Sequence, residues 1–226
     1  TPTGKEIMKT ASMTMKRVTL ETGGKSPMII LDDADLEEAV QWAHSGIMYN
    51  QGQVCSATSR LLVQEGIYDD FIAKYKKTVE GVKIGNPFED DTFQGPQVTR
   101  AQFEKILSYV ETGKKEGATL ASGGVAHKNV NGSKGLFISP TIFTDVEENM
   151  QVFQEEVFGP FVVVCKFKTV PEAIRKANNS IFGLGSAVFT KDITKAHNIA
   201  RRLEAGSKFP SRLSLSLRTD PDSCLD

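Results

Sequence analysis

The sequence predicts an α/β fold, a mainly parallel sheet with helices on both faces, and three observations carry the prediction. Residues 27–31 and 161–167 are apolar almost without interruption, as strands are when both faces of their sheet are covered. Segments with apolar residues three and four positions apart alternate with such runs along the whole chain. Glycine and proline breakers fall between the two kinds of segment, so each helical stretch can serve as the crossover that a parallel strand pair requires.

Taken in order, residues 4–16 show a loose helical period through Ile7, Met8, Ala11 and Met15. Residues 18–21 read as a short strand, Gly23-Gly24 as a turn and 27–31 as a strand. The run Asp32-Asp33-Ala34-Asp35 offers an N-cap and an acidic first turn to a helix over 36–49, with Leu36, Ala39, Val40, Ala43 and Ile47 inward. A strand follows at 60–64, then a helix at 68–82 with Phe71, Ile72, Tyr75 and Val79 on one face. Residues 83–98 are loop, broken by Gly85-Asn86-Pro87 and Gly95-Pro96. A helix over 99–115 is ended by Gly117, a short strand covers 118–121, and 123–135 is a polar, glycine-bearing surface loop. Residues 137–143 are extended, 145–150 acidic and at best helical, and 161–167 a strand. Residues 171–178 form a helix, 185–189 a strand and 194–204 a helix with Ala196, Ile199, Ala200 and Leu203 inward. Beyond Gly206 the composition changes, and 207–226 is expected to hold no strand or helix that would finish the sheet.

Composition excludes several classes of function. With 27 basic and 28 acidic residues the net charge of -1 supplies no general attraction to nucleic acid or to an anionic membrane. No run of about 20 apolar residues is present, and the first residues are polar, so neither a membrane span nor a signal peptide is expected. Three cysteines, Cys55, Cys165 and Cys224, suit a reducing compartment, a cytoplasmic setting, better than a disulfide framework. His44, His127 and His197 are scattered and no metal-ligand spacing occurs, so no metal is expected. The chain opens on Thr1 rather than Met, which reads as a piece of a longer protein.

Three stretches carry residues suited to chemistry. Residues 49–60 place Cys55 after the polar, glycine-bearing stretch 50–53, on a turn where a thiol is displayed. A helix restarting near Ser56 would favour its thiolate, the nucleophilic form; the alternative is a small buried hydrophobe. Residues 20–27 set Glu21 directly before Thr22-Gly23-Gly24-Lys25-Ser26. A phosphate loop is excluded, because it needs a glycine where Thr19 stands. Glycines beside a strand-end acid allow close approach, and a carboxylate shielded from water can serve as a general base; the alternative is a surface glutamate. Residues 154–160 pair Glu155 and Glu156 before Phe158, a Gly-Pro turn and a buried strand. A carboxylate there suits a ribose hydroxyl, and the strand ends of α/β folds are where ligands sit; the alternative is a solvated acidic face.

In this order and spacing the three stretches resemble the NAD(P)-dependent aldehyde dehydrogenase superfamily, in its general, non-phosphorylating type. The resemblance runs over residues 1–206 and includes Asp33-Ala34-Asp35-Leu36, Gly85-Asn86-Pro87, Gly95-Pro96-Gln97 and Pro140-Thr141-Ile142. It implies Cys55 as nucleophile, attacking an aldehyde to give a thiohemiacetal and then a thioester, and Glu21 as the base that activates the hydrolytic water. It implies the Cys55 N–H as one oxyanion donor, Glu156 as the partner of the nicotinamide ribose, Phe158 as the ring beside the nicotinamide, and Gly23 and Gly4 at the cofactor, Gly4 near the pyrophosphate. NAD is the implied cofactor, with NADP an alternative; the partner is a small aldehyde, and the parent enzyme is a homo-oligomer of the cytoplasm or the mitochondrion.

The same resemblance divides the chain. Residues 1–20 read as a remnant of the dinucleotide-binding domain, 21–206 as the thiol-bearing catalytic domain, and 207–226 as a disordered tail foreign to the family. A piece so divided is expected to lack most adenosine contacts and to be inactive alone. The competing readings are a non-catalytic truncated product and a cofactor-independent, cysteine-dependent esterase.

Overall fold

A computed structural model of the chain describes residues 1–127, 130 and 135–211. Among these residues seven strands form one sheet: β1 (Pro27–Ile30), β2 (Arg60–Gln64), β3 (Thr119–Ser122), β4 (Thr141–Thr144), β5 (Phe161–Phe167), β6 (Gly185–Phe189) and β7 (Ser207–Ser211), in spatial order β3-β4-β5-β2-β1-β6-β7. All neighbours pair in parallel except β3, which runs antiparallel to β4.

The helices are α1 (Pro2–Ser12), α2 (Leu36–Met48), α3 (Tyr68–Glu80), α4 (Arg100–Glu116), α5 (Gln151–Gln154), α6 (Val170–Asn178) and α7 (Ile193–Ala200). Their starts follow the cap chemistry in the sequence. Asp35, Thr99, Thr169 and Asp192 each accept a backbone N–H of the first turn, and Gly117 closes α4 at φ 94°.

Alternation along the buried strands splits the core into two layers. Ile29, Leu62, Val163, Cys165 and Val188 face α4, α5, α6 and α7, while Met28, Ile30, Leu61, Val63, Val162 and Val164 face α2 and α3. The expected strands with no polar face are thereby explained, since each face is covered by helix.

Three expectations are corrected. Residues 18–21 join no ladder among the described residues: Val18, Thr19 and Glu21 are exposed, and half-buried Leu20 lies beside Gly4 of the first helix. Residues 145–150 are not helical; the turn of helix lies at Gln151–Gln154, after Asp145 takes a left-handed φ of 54°. Residues 207–211, expected to form nothing, pair with β6 as β7. The reason is local: Gly206 and Ser207 donate to the carbonyls of Gly183 and Leu184, which sets the chain on the open edge of β6 whatever its side chains are. The remainder of the expected tail, 212–226, lies outside the described residues. No helix among the described residues is long and apolar enough to cross a membrane.

Candidate active site

The strands β5, β2 and β1 are neighbours, and Pro27, Arg60 and Val163 stand in register. Glu21, Cys55 and Glu156 each precede one of these strands by a short loop, so three stretches far apart in sequence arrive at one end of the sheet. That end is the amino end of the parallel strands. The loops that enter the strands, not those that leave them, meet there.

Gly24 is the junction. Its N–H donates to Oε1 of Glu156 at 3.1 Å, and a Cβ on it would stand 2.3 Å from the carbonyl oxygen of Cys55. A Cβ on Gly23 would stand 2.0 Å from Oε2 of Glu156. The two glycines are thus needed for close approach, Gly23 by a side chain and Gly24 by a backbone. A surface hollow is lined by Gly24, Gly52, Val54, Glu156 and Phe158.

Cys55 is exposed, on a turn closed by Ala57 N–H donating to Val54 O at 3.1 Å. No helix begins at Ser56, contrary to expectation. The chain has only a few residues in which to reach β2, and Arg60 N–H already bonds Ser26 O. The turn is held instead by its approach: Asn50, Gln51 and Gly52 all take left-handed φ, of 49°, 56° and 68°. Gly52 lies against Gly159, whose carbonyl oxygen would be 1.9 Å from a Cβ there. Gln53 Oε1 accepts Val98 N–H at 3.0 Å, tying the turn to the loop before α4.

The other expected residues separate. Glu21 is exposed, at the head of the segment that runs through Gly23 and Gly24. Glu155 and Glu156 divide their tasks: Glu155 accepts from Tyr109 Oη and Gln151, which holds its carboxyl below the usual range, while Glu156 turns to Gly24. Phe158 is half-buried with φ 61°. Gly4 is buried in α1 against Leu20 and Thr22, next to the Glu21 segment and not at the hollow. Cys165 is buried in β5, where burial pushes its thiol up to about 12.

Sequence reasoning passed over four residues here. Arg60 is buried and donates to Lys25 O at 2.7 Å, to Ala177 O at 2.8 Å and to the Lys176 and Asn179 carbonyls, fastening the end of α6 to the strand that follows Glu21. Lys25 is buried and its Nζ donates no hydrogen bond among the described residues, and burial pulls its ammonium down to about 7, helped by Arg60 and opposed by Glu156. Gln102 and Lys105 of α4 bond the carbonyls of the 156–158 segment. Only the helical spacing of Gln102 and Lys105, three apart and therefore on one face, was available to point at them.

Comparison with known proteins shows the family and the fold. The model of the aldehyde dehydrogenase family matches residues 1–209. An aldehyde dehydrogenase of Emericella nidulans is 51% identical over 205 residues, which are 90% of this chain and 40% of that protein. The human mitochondrial aldehyde dehydrogenase is 50% identical over 196 residues, 87% of this chain and 37% of that one. The NAD+ complex of an aldehyde dehydrogenase from Bacillus cereus superposes with a TM-score of 0.88 at 47% identity, covering 92% of this chain and 42% of that structure. The chain spans about 40% of the length of the curated relatives it matches. On the family match over almost all of the described residues and on identities near one half, the chain belongs to the aldehyde dehydrogenase family.

Proposed function

We propose that this chain supplies the reacting groups of an NAD(P)-dependent oxidation of an aldehyde to a carboxylic acid, with Cys55 as nucleophile and Glu21 as general base. The observation that supports the reading best is the contact of Gly24 with both Glu156 and Cys55, which draws the three motifs around one hollow. The residues present fit the nicotinamide end of a dinucleotide. The half-buried Glu156 carboxylate suits paired ribose hydroxyls, the half-buried Phe158 ring suits a flat heteroaromatic, and the glycine pair leaves room beside them. Bound NAD would supply the hydride acceptor.

The chain's own residues perform the rest. The Cys55 thiolate adds through Sγ to the aldehyde carbon, and the oxygen that gains the charge is met by the Cys55 N–H. After loss of hydride a thioester remains on Sγ. Glu21 takes a proton from water, the hydroxide oxygen adds to the thioester carbon, and the C–S bond breaks to release carboxylate and return the thiolate. Residues 1–20, through Gly4, would form the near edge of the cofactor site.

The acyl half of this chemistry is testable without nucleotide. Mixed with 4-nitrophenyl acetate, the chain should release a burst of nitrophenolate equal to the active Cys55. Glu21→Gln should keep the burst and slow the steady phase by about tenfold or more. Cys55→Ala should lose both, and an undiminished burst in Cys55→Ala refutes the assignment.

A further inference from the structure

We propose that Gln51 is a positioning residue for the nucleophile: its side-chain amide, bridging Gly95 N–H and the Asn50 carbonyl, fastens the left-handed approach to Cys55 onto the strap of residues 93–98 and so fixes where Cys55 presents Sγ and its N–H. The inference rests on the reading of Cys55 as nucleophile.

The starting point is the conformation of Gln51, with φ 56° and ψ 28°, between Asn50 at φ 49° and Gly52 at φ 68°. Asparagine and glycine enter the left-handed region readily, whereas a glutamine there sets its Cβ against its own backbone with no local compensation. Such a conformation persists only where its surroundings over-determine it. Here one strap does so. The Gln51 amide oxygen accepts Gly95 N–H at 3.0 Å, and its nitrogen donates to Asn50 O at 3.0 Å. Further along, Gln53 Oε1 accepts Val98 N–H at 3.0 Å; further back, the His44 ring packs 4.8 Å from that of Phe93. Residues 93, 95 and 98 thus run beside 44, 51 and 53 in the same order.

The turn and the strap are each tied internally. Gln53 N–H donates to Asn50 O at 3.0 Å and Asn50 Nδ2 to Gln53 O at 3.1 Å, so Asn50 to Gln53 moves as one body. The strap is anchored away from the turn: Phe93 and Gln94 N–H both donate to Lys83 O at 3.1 Å, buried Gln94 Nε2 donates to Ile138 O at 2.6 Å, and Gln97 N–H donates to Leu136 O at 2.9 Å. The strap is therefore the fixed partner, to which the turn is fitted.

Neither Gln51, Gly95 nor Val98 lines the hollow beside Cys55, so Gln51 acts through the turn it holds. Acyl transfer needs Sγ aimed at a carbonyl carbon while Cys55 N–H meets the oxygen; alkylation by iodoacetamide needs only an accessible thiolate. Without the Gln51 amide, the N–H of buried Gly95 loses its acceptor, residue 51 is free to leave the left-handed region, and the peptide planes leading to Cys55 turn with it. A role in stability alone would leave the balance between the two reactions unchanged.

The test uses the full chain and two reagents at one pH: the rate of the nitrophenolate burst from 4-nitrophenyl acetate, and the rate of iodoacetamide alkylation of the Cys55 peptide by mass spectrometry. Their ratio cancels the thiolate fraction, since both reactions pass through it. Gln51→Gly removes the amide with a residue that tolerates the left-handed φ, and Gln51→Glu keeps an acceptor for Gly95 N–H. The ratio should fall by about tenfold or more in Gln51→Gly and stay within about threefold of the parent in Gln51→Glu, with similar thermal midpoints. A ratio unchanged in Gln51→Gly, or one that falls as far in Gln51→Glu, overturns the proposal. A parent burst that is absent, or kept in Cys55→Ala, overturns the nucleophile reading instead. Hydrogen exchange at the Gly95 amide, faster in Gln51→Gly and protected in Gln51→Glu, then still decides whether Gln51 holds the turn to the strap.

Discussion

A Cβ on Gly24 would stand 2.3 Å from the carbonyl oxygen of Cys55, whereas a Cβ on Gly23 would meet only the tip of the Glu156 side chain, at 2.0 Å. The first neighbour is backbone and cannot give; the second can rotate away. Gly24→Ala should therefore cost about 1–3 kcal/mol and shift the Cys55 turn. Gly23→Ala should cost less and mainly free Glu156 from its bond to Gly24 N–H. Urea midpoints of the two variants, compared at one pH, check the order, and equal losses would contradict it.

The two cysteines among the described residues should differ sharply towards iodoacetamide. Cys55 is exposed, while Cys165 is buried and its thiol is pushed up to about 12, leaving about one thiolate in ten thousand at pH 8. In a Cys224→Ser background, timed labelling with mass spectrometry should mark Cys55 first and Cys165 only on unfolding. Labelling of native Cys165 at a comparable rate would mean that β5 opens readily.

Lys25 should make stability depend on pH in the mildly alkaline range. Burial sets its folded value at about 7 against 10.5, so between these values the unfolded chain binds the proton that the folded chain has lost. Stability therefore rises with pH across that window, by up to ~1.4 kcal/mol per unit, and is flat on this account below pH 7. Lys25→Met should remove the rise and be the more stable form at pH 6, because no ammonium need then be buried. Urea titrations of both proteins at pH 6, 7.5 and 9 would show it, and parallel pH curves would count against it.

Arg60 satisfies four carbonyls from one buried guanidinium, and its value, lowered to about 10 by burial, keeps it charged at neutral pH. Arg60→Met should leave those carbonyls short of donors and cost about 3 kcal/mol or more. Hydrogen exchange should show the loss concentrated at the end of α6 and at residues 24–26. A uniform change across the sheet would point to general destabilisation in place of a local fastening.

Much of this was legible in one dimension. The apolar runs at Pro27–Ile30, Arg60–Gln64, Phe161–Phe167 and Gly185–Phe189 became strands because each is short, apolar and bounded by breakers. The caps at Asp35 and Thr99 began helices because a side-chain oxygen satisfies a first-turn N–H wherever the chain goes next. Cys55, Glu21, Glu156 and Phe158 could be singled out because glycine and turn residues beside a polar or aromatic group leave a mark in sequence.

What only the tertiary structure decided depends on groups distant in the chain. The order β5-β2-β1 determines that three separate loops meet, and strand order is set by how the helical crossovers pack on the two sheet faces, which no local pattern encodes. The choice of Glu156 over Glu155 for Gly24 was settled by Tyr109 and Gln151 claiming the other carboxylate. Even β7 was decided this way. Residues 207–211 have little of a strand's pattern, but an open parallel edge offers backbone hydrogen bonds to whatever chain is laid beside it, and that offer does not depend on the side chains.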